Sequence, residues 1–262
     1  MDLTREILLT RYDKGNIKET SDIVVREYPL TIYLNGEEMV TLLCSPKSLD
    51  NLTLGFLLSE GMIKEKSEIN SIKIDEEKGV AYVKAAGDKS GSKYFMGKRM
   101  LTTGCGRGTI FYNVYDSIQC MPLENSLKVN YKRILSSMKD FAAKSEIFQN
   151  TGGVHSAALS DGESILIFHE DVGRHNALDK VIGEAFTKGM DFDDKILLTS
   201  GRISSEMLIK AAKQKISIVV SRSAPMDLAL KIGKEINMTV IGFARGQRMN
   251  IYNGKERIIF EN

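Results

Sequence analysis

The stretch SILIFHEDVGRHNALDKVIGEAF, residues 164–186, decides the fold class. Its opening, 164–168, is a short apolar run of strand type. Its second half repeats apolar residues at Ala177, Leu178, Val181, Ile182 and Ala185, the spacing of one helical face. Between strand and helix lies HEDVGRHN, residues 169–176, an unusual run of residues to follow a strand.

The same strand-then-helix pattern continues towards the C-terminus. Residues 195–199, 216–221 and 238–243 read as strands. Met207, Leu208, Ala211 and Ala212 line one intervening helix, and 227–236 form another. Upstream, 156–159 and 164–168 pair across Asp161-Gly162, after a helix carrying Tyr131, Ile134, Leu135, Met138 and Phe141 on one face. Alternation of this kind predicts an α/β fold with a mostly parallel sheet and helices packed on it.

Before residue 120 the pattern is different. Tyr28 to Leu34 alternates and ends at Asn35-Gly36, a favoured hairpin turn, with 38–44 as the returning strand. Residues 46–50 lead into a helix with Ser48 or Asp50 as its cap and Gly61 as its end. Residues 69–75 and 80–84 read as two more strands. The expected organisation is therefore a smaller β-rich N-terminal domain, 1–119, and an α/β C-terminal domain, 120–262.

The composition narrows the function classes. The chain has 262 residues, 42% hydrophobic and 27% charged, with a net charge of +2. That is ordinary for a folded domain and too balanced for a strongly basic nucleic-acid binder. No apolar run approaches the roughly 20 residues of a membrane span, and the first residues lack the pattern of a secretory signal, so a cytoplasmic location is expected. The three cysteines, Cys44, Cys105 and Cys120, have neither disulfide-framework nor zinc spacing.

In open α/β sheets, ligands bind beyond the carboxyl ends of the strands. Here Arg174, Arg202, Arg222 and Arg245 each follow a predicted strand, so one sheet edge should collect them. Arginine forks match phosphate oxygens in pairs, and helix N-termini add amides. Taken singly, each of these arginines reads as solvated or paired with Glu170, Asp171 or Glu206; four at corresponding strand ends read as a ligand site. Gly152-Gly153 fits close backbone approach to a ligand and a helix-ending turn equally well. His155 and His175 are acid-base candidates, although a lone histidine is more often a structural hydrogen-bonding residue.

Cys105 stands in Thr103-Gly104-Cys105-Gly106-Arg107-Gly108. Glycine neighbours leave a thiol uncovered and surround it with amides, and the nearby Arg107 favours the thiolate. The same sequence also fits a plain tight turn. Cys44 follows Leu42 and Leu43 and reads as buried, and Cys120, beside Met121-Pro122, has no activating company.

Taken together, these segments resemble the FdhD family of formate dehydrogenase accessory proteins over nearly the whole chain. The resemblance rests on Cys44-Ser45-Pro46 with LGFLLSEG at 54–61, on TGGVH at 151–155, and on EDVGRHNA at 170–177. It continues through TSGR at 199–202, SRSAP at 221–225, and Gly242-Phe243 with Arg245. Several long motifs in order are far more specific than any one. The resemblance implies a sulfur carrier that takes sulfur as a persulfide from a cysteine desulfurase of the IscS type. It implies delivery to the bis-molybdopterin guanine dinucleotide cofactor, with GDP as a mimic, before insertion into the formate dehydrogenase catalytic subunit. It further implies a homodimer and a C-terminal domain similar to the three-layer cytidine deaminase fold. The family's sulfur-carrying cysteine, first in a CGxCG loop, matches Cys105. Its cofactor-holding Phe-x-Arg stretch matches Phe243, Ala244, Arg245, Gly246, Gln247 and Arg248. Arg174, His175, Arg202, Arg222, Gly152, Gly153 and His155 join them as cofactor-binding candidates. No zinc or other protein-bound metal is expected.

The chain departs from that pattern at Gly108, which replaces the loop's second cysteine. A nucleotide deaminase would need an H-x-E glutamate and a PCxxC segment, and no cysteine lies beyond residue 120. A chaperone that delivers the cofactor without moving sulfur would use the same arginines but would not need Cys105.

Overall fold

A computed structural model describes residues 1–87, 122–124 and 127–261. Strands β1 (Thr4–Asp13) and β2 (Asn16–Val25) form a two-stranded antiparallel hairpin. The turn is Lys14-Gly15 rather than Asn-Gly, yet both residues take the positive φ (50° and 90°) that a tight hairpin turn needs.

A four-stranded sheet follows, in the order β4-β3-β6-β5. Its members are β3 (Tyr28–Leu34), β4 (Glu37–Cys44), β5 (Ile69–Asp75) and β6 (Val80–Ala85). Helix α1 (Leu49–Glu60) crosses from β4 to β5 and ends on left-handed Gly61, as expected. Its start differs in one respect: Ser48 is the N-cap residue, but it is itself left-handed (φ 53°) and makes no side-chain cap hydrogen bond.

The C-terminal part begins with a two-residue strand, β7 (Val129–Asn130), which pairs with β14 (Ile258–Ile259). Helices α2 (Tyr131–Lys144) and α3 (Glu146–Thr151) precede a six-stranded sheet of order β13-β12-β11-β10-β8-β9. The strands are β8 (His155–Ser160), β9 (Ile165–Asp171), β10 (Ile196–Thr199), β11 (Ile218–Ser221), β12 (Thr239–Arg245) and β13 (Arg248–Asn253). Only β10, β11 and β12 pair in parallel; the other three pairings are antiparallel. The sheet is therefore mixed rather than mostly parallel. The Asp161-Gly162 hairpin adds antiparallel strands on one side, and β13 adds another beyond β12.

Alternate residues of these strands face opposite layers, as period-two side-chain geometry requires. Ala158, Leu198, Val220 and Ile241 pack on Ile134, Met138 and Phe141 of α2. Leu159, Leu197, Val219 and Val240 belong to the core on the other face. That face carries α4 (Arg174–Thr187), α5 (Ser205–Lys213) and α6 (Asp227–Glu235). The same core takes in Leu30, Ile32 and Leu57 of the N-terminal part. Helices α1 and α4 approach at backbone distance: a Cβ on Gly55 would lie 1.7 Å from the Asp179 carbonyl oxygen, and one on Gly183 would lie 2.0 Å from that of Asn51. Only glycine permits this crossing. The expected domain division at 119/120 falls outside the described residues.

Candidate functional site

Strand β8 runs antiparallel to both β9 and β10, so β9, β10, β11 and β12 all point the same way. Their carboxyl ends define one edge. Asp171 with Arg174, Thr199 with Arg202, Ser221 with Arg222, and Arg245 succeed one another along it in the order β9, β10, β11, β12. The amino end of β8 brings His155 to the same edge, opposite Asp171.

Beneath the edge, two buried ionic nodes hold the N-terminal part against the α/β sheet. In the first, Asp171 accepts from the Ser45 backbone N–H (2.9 Å) and from Lys180 Nζ (2.6 Å). It also accepts from Gly173 N–H and from Asn176 Nδ2, both at 2.9 Å. Lys180 donates a second bond to the Ser45 carbonyl, and Asn176 one to that of Leu43. Two motifs more than a hundred residues apart, Cys44-Ser45-Pro46 and EDVGRHNA, are thus one clamp. A buried carboxylate needs this many donors, because an unpaired charge in the interior is very costly. Cys44 itself is buried, its Sγ 3.4 Å from the Tyr28 carbonyl, and burial pushes its thiol pKa up to about 12. It is not a nucleophile at neutral pH.

In the second node, Asp179 accepts from Ser59 Oγ (2.7 Å) and Lys210 Nζ (2.6 Å), and Glu60 lies 3.7 Å from the same ammonium. Glu206 and His175 sit above it, Oε2 to Nε2 3.3 Å. Burial, with Glu60 and Asp179 adding to it, pushes the Glu206 carboxyl up to about 7. Burial, reinforced by Lys210, Arg174 and His155, pushes His175 down to about 2. Of the two, Glu206 is the group that carries the proton near neutrality. His155 is also held below the ordinary imidazole range, by burial and by Arg174 and Arg202.

The arginines reach one edge but divide into two groups. Arg174 and Arg202 gather around His155, over Gly201, where an added Cβ would lie 3.1 Å from Arg174 Cβ and 3.5 Å from His155 Nδ1. Arg222 and Arg245 instead open on a cleft of about 760 Å³ between the β12–β13 turn and α2. One wall is Arg222 with Ala244, Arg245, Gly246 and Gln247. The other is α2, through Lys132, Leu135, Ser136 and Lys139, a wall that none of the sequence motifs marks. Their spacing of three, four and seven residues places them on one helical face, a usable signal. Phe243 is non-glycine yet left-handed (φ 52°), and the β12–β13 register slips between Gly242 and Arg245. Such a bulge re-aims side chains: Ala244 turns into the core while Arg245 is exposed. Phe243 and Arg248 do not line the cleft, and Gly152 and Gly153 lie at the α3–β8 junction, with Gly153 against Val25. Gly152 ends α3 in a left-handed conformation (φ 64°), the plain turn that its sequence allowed.

Among the described residues no ion pair engages Arg202, Arg222 or Arg245. The carboxylates proposed as their partners are used elsewhere. Glu170 accepts from the Ile147 and Phe148 amides, Asp171 is spent in the clamp, and Glu206 faces His175. Cys105, its glycine neighbours, Arg107, Gly108 and Cys120 lie outside the described residues. Among those described, no helix is long and apolar enough to cross a membrane.

Comparison with known proteins gives a consistent set. The model of the FdhD/NarQ family matches residues 25–259. The chain is 44% identical over 248 residues to the sulfur carrier protein FdhD of Bacillus subtilis, covering 95% of each. It is 42% identical over 260 residues to that of Listeria innocua, covering 98% of this chain and all of the relative. Among solved structures, a crystal structure from Desulfotalea psychrophila, described provisionally as a formate dehydrogenase accessory protein, matches with a TM-score of 0.80 at 26% identity. It covers 98% of this chain and 100% of that one.

Proposed function

The chain belongs to the FdhD/NarQ family, and we propose from this that it is a sulfur carrier serving the maturation of formate dehydrogenase. The observation that carries the reading is end-to-end similarity, at 41–44% identity, to proteins named sulfur carriers. In this reading Cys105 is the carrying thiol. Its thiolate attacks the outer sulfur of a persulfide on a cysteine desulfurase of the IscS type. The donor's S–S bond breaks, the donor leaves as a thiolate, and Cys105 becomes the persulfide. The outer sulfur then passes to bis-molybdopterin guanine dinucleotide, which is cargo here and not a resident group: the S–S bond on Cys105 breaks, Cys105 is regenerated as a thiolate, and the reduced cofactor supplies the two electrons that take the transferred sulfur to the sulfide level. The cleft beside Arg222 and Arg245 takes a guanine nucleotide portion of that cofactor, for which GDP is the mimic. Arg174, Arg202, His155 and His175, further along the same edge, meet the remainder. Two chains act together as a homodimer in the cytoplasm, and the formate dehydrogenase catalytic subunit receives the loaded cofactor.

The test is complementation. In cells lacking their own carrier, this chain is expected to restore formate dehydrogenase activity, and Cys105→Ala is expected not to. Gly108, in place of a second loop cysteine, favours a competing reading in which the protein delivers the cofactor without moving sulfur. Full restoration by Cys105→Ala would establish that reading instead.

A further inference from the structure

The α2 wall of the cleft is assigned by neither the motifs nor the family resemblance. Its charge is one-sided. Among the described residues, those lining the cleft include Lys132, Lys139, Arg222 and Arg245 and not one carboxylate. Among the described residues no ion pair engages Lys139, Arg222 or Arg245. Like charges brought to the two walls of one cleft repel unless an anion lies between them, and a concave, low-dielectric site concentrates that field. The cleft has the size of small-molecule sites, which run from roughly 300 to 1,000 Å³. Its remaining lining is partly apolar, from Leu135, Ala142 and Ala244, which suits a ligand with a flat unsolvated part as well as a charged one.

We infer that α2 forms half of a pyrophosphate site: Lys139 and Ser136, facing Arg222 and Arg245 across the cleft, hold the phosphates of a nucleoside-diphosphate group. Lysine supplies a point charge and the serine hydroxyl a neutral donor, while the arginines on the far wall supply paired forks. This deepens the proposed cofactor site and rests on it. It adds that the helix covering the opposite face of the sheet from α4, α5 and α6 is a working wall of the site.

Calorimetric titration of GDP, inorganic pyrophosphate and guanosine separates the two levels. Lys139 is exposed, so its replacement leaves the fold intact. Lys139→Ala is expected to weaken GDP and pyrophosphate about tenfold, with loss of one charged contact. Lys139→Arg is expected to retain most of the affinity, and guanosine binding to be the same in wild type and Lys139→Ala. If Lys139→Ala binds GDP like wild type while Arg245→Ala is weakened, the α2 wall is wrong and the cleft stands. If Arg245→Ala is also unchanged, or wild type binds neither GDP nor pyrophosphate, the cleft assignment itself fails.

Discussion

Lys180 Nζ lies 2.6 Å from Asp171 Oδ2 with both side chains out of solvent, at 1% and 0% exposure. This pair and its shared contacts to Ser45 join the N-terminal sheet to the α/β sheet directly beneath the arginine-bearing edge. Removing one partner strands a buried charge, which costs about 3–5 kcal/mol, whereas an apolar pair of similar volume is often tolerated. Lys180→Ala is therefore expected to lose about that much stability in denaturant unfolding. Lys180→Met combined with Asp171→Leu should lose less than the sum of the two single changes, because the two share one ion pair, while the donors from Ser45, Gly173 and Asn176 still lose their acceptor. Near-wild-type stability of Lys180→Ala would show that the node is not a structural clamp.

Glu206 makes the fold pH-dependent in a defined window. Its folded pKa of about 7 lies above the ordinary 4.5. The unfolded chain thus gives up this proton first as pH rises. The associated stability is complete below about pH 4.5 and is lost as the pH climbs to about 7. His175 works in the opposite sense over part of that range, and because it touches Glu206 the comparison variant is Glu206→Gln, which keeps a polar side chain of the same shape beside it. The unfolding free energy of wild type relative to Glu206→Gln should fall between pH 4.5 and 7 and then level off. Parallel profiles would mean that Glu206 ionises normally.

GDP binding distinguishes the two arginine groups. Arg245→Ala and Arg222→Ala remove a charged contact in the cleft, worth on the order of 1.5–3 kcal/mol, or about tenfold to a hundredfold in affinity. Binding should also weaken with added salt. Arg202 lies with His155 and not in the cleft. Arg202→Ala should therefore leave GDP affinity unchanged and reduce binding of the complete cofactor. Lys231→Ala, on the exposed side of α6, serves as the control. Equal loss of GDP binding in Arg202→Ala and Arg245→Ala would show one undivided pocket.

Gly108→Cys tests whether the sulfur carrier needs a second thiol. With Cys105 sufficient, sulfur delivery under reducing conditions should be nearly unchanged, and oxidation should add an internal disulfide only if the loop geometry allows it. A large gain in delivery under reducing conditions would mark the natural loop as an impaired relay.

Much of this architecture was legible because it depends on local chemistry. Asn35-Gly36 turns β3 into β4, and Gly61 ends α1 in a left-handed conformation, both readable from the residue types. The arginines' common edge followed from strand direction alone. What was not legible depends on contacts between distant segments. Lys180 sits among Ala177, Val181 and Ile182 and reads as a solvated residue on an otherwise apolar stretch, but Asp171 and Ser45 bury it. The division of the arginines arises because α2 packs on the face opposite α4, which no local pattern in 131–144 specifies. The Ser48 cap failed for a related reason: the chain enters α1 through a left-handed residue, and that places the hydroxyl where it makes no cap bond.

If Cys105 carries the sulfur, that sulfur can be counted on the protein itself. Wild type and Cys105→Ala are incubated with a cysteine desulfurase and cysteine, and protein-bound sulfane sulfur is measured together with the mass of the peptide containing residue 105. A persulfide mass shift on that peptide is expected in wild type, and loss of bound sulfane sulfur in Cys105→Ala, with Cys44 and Cys120 unloaded in both. Equal sulfur loading of the two proteins would contradict it.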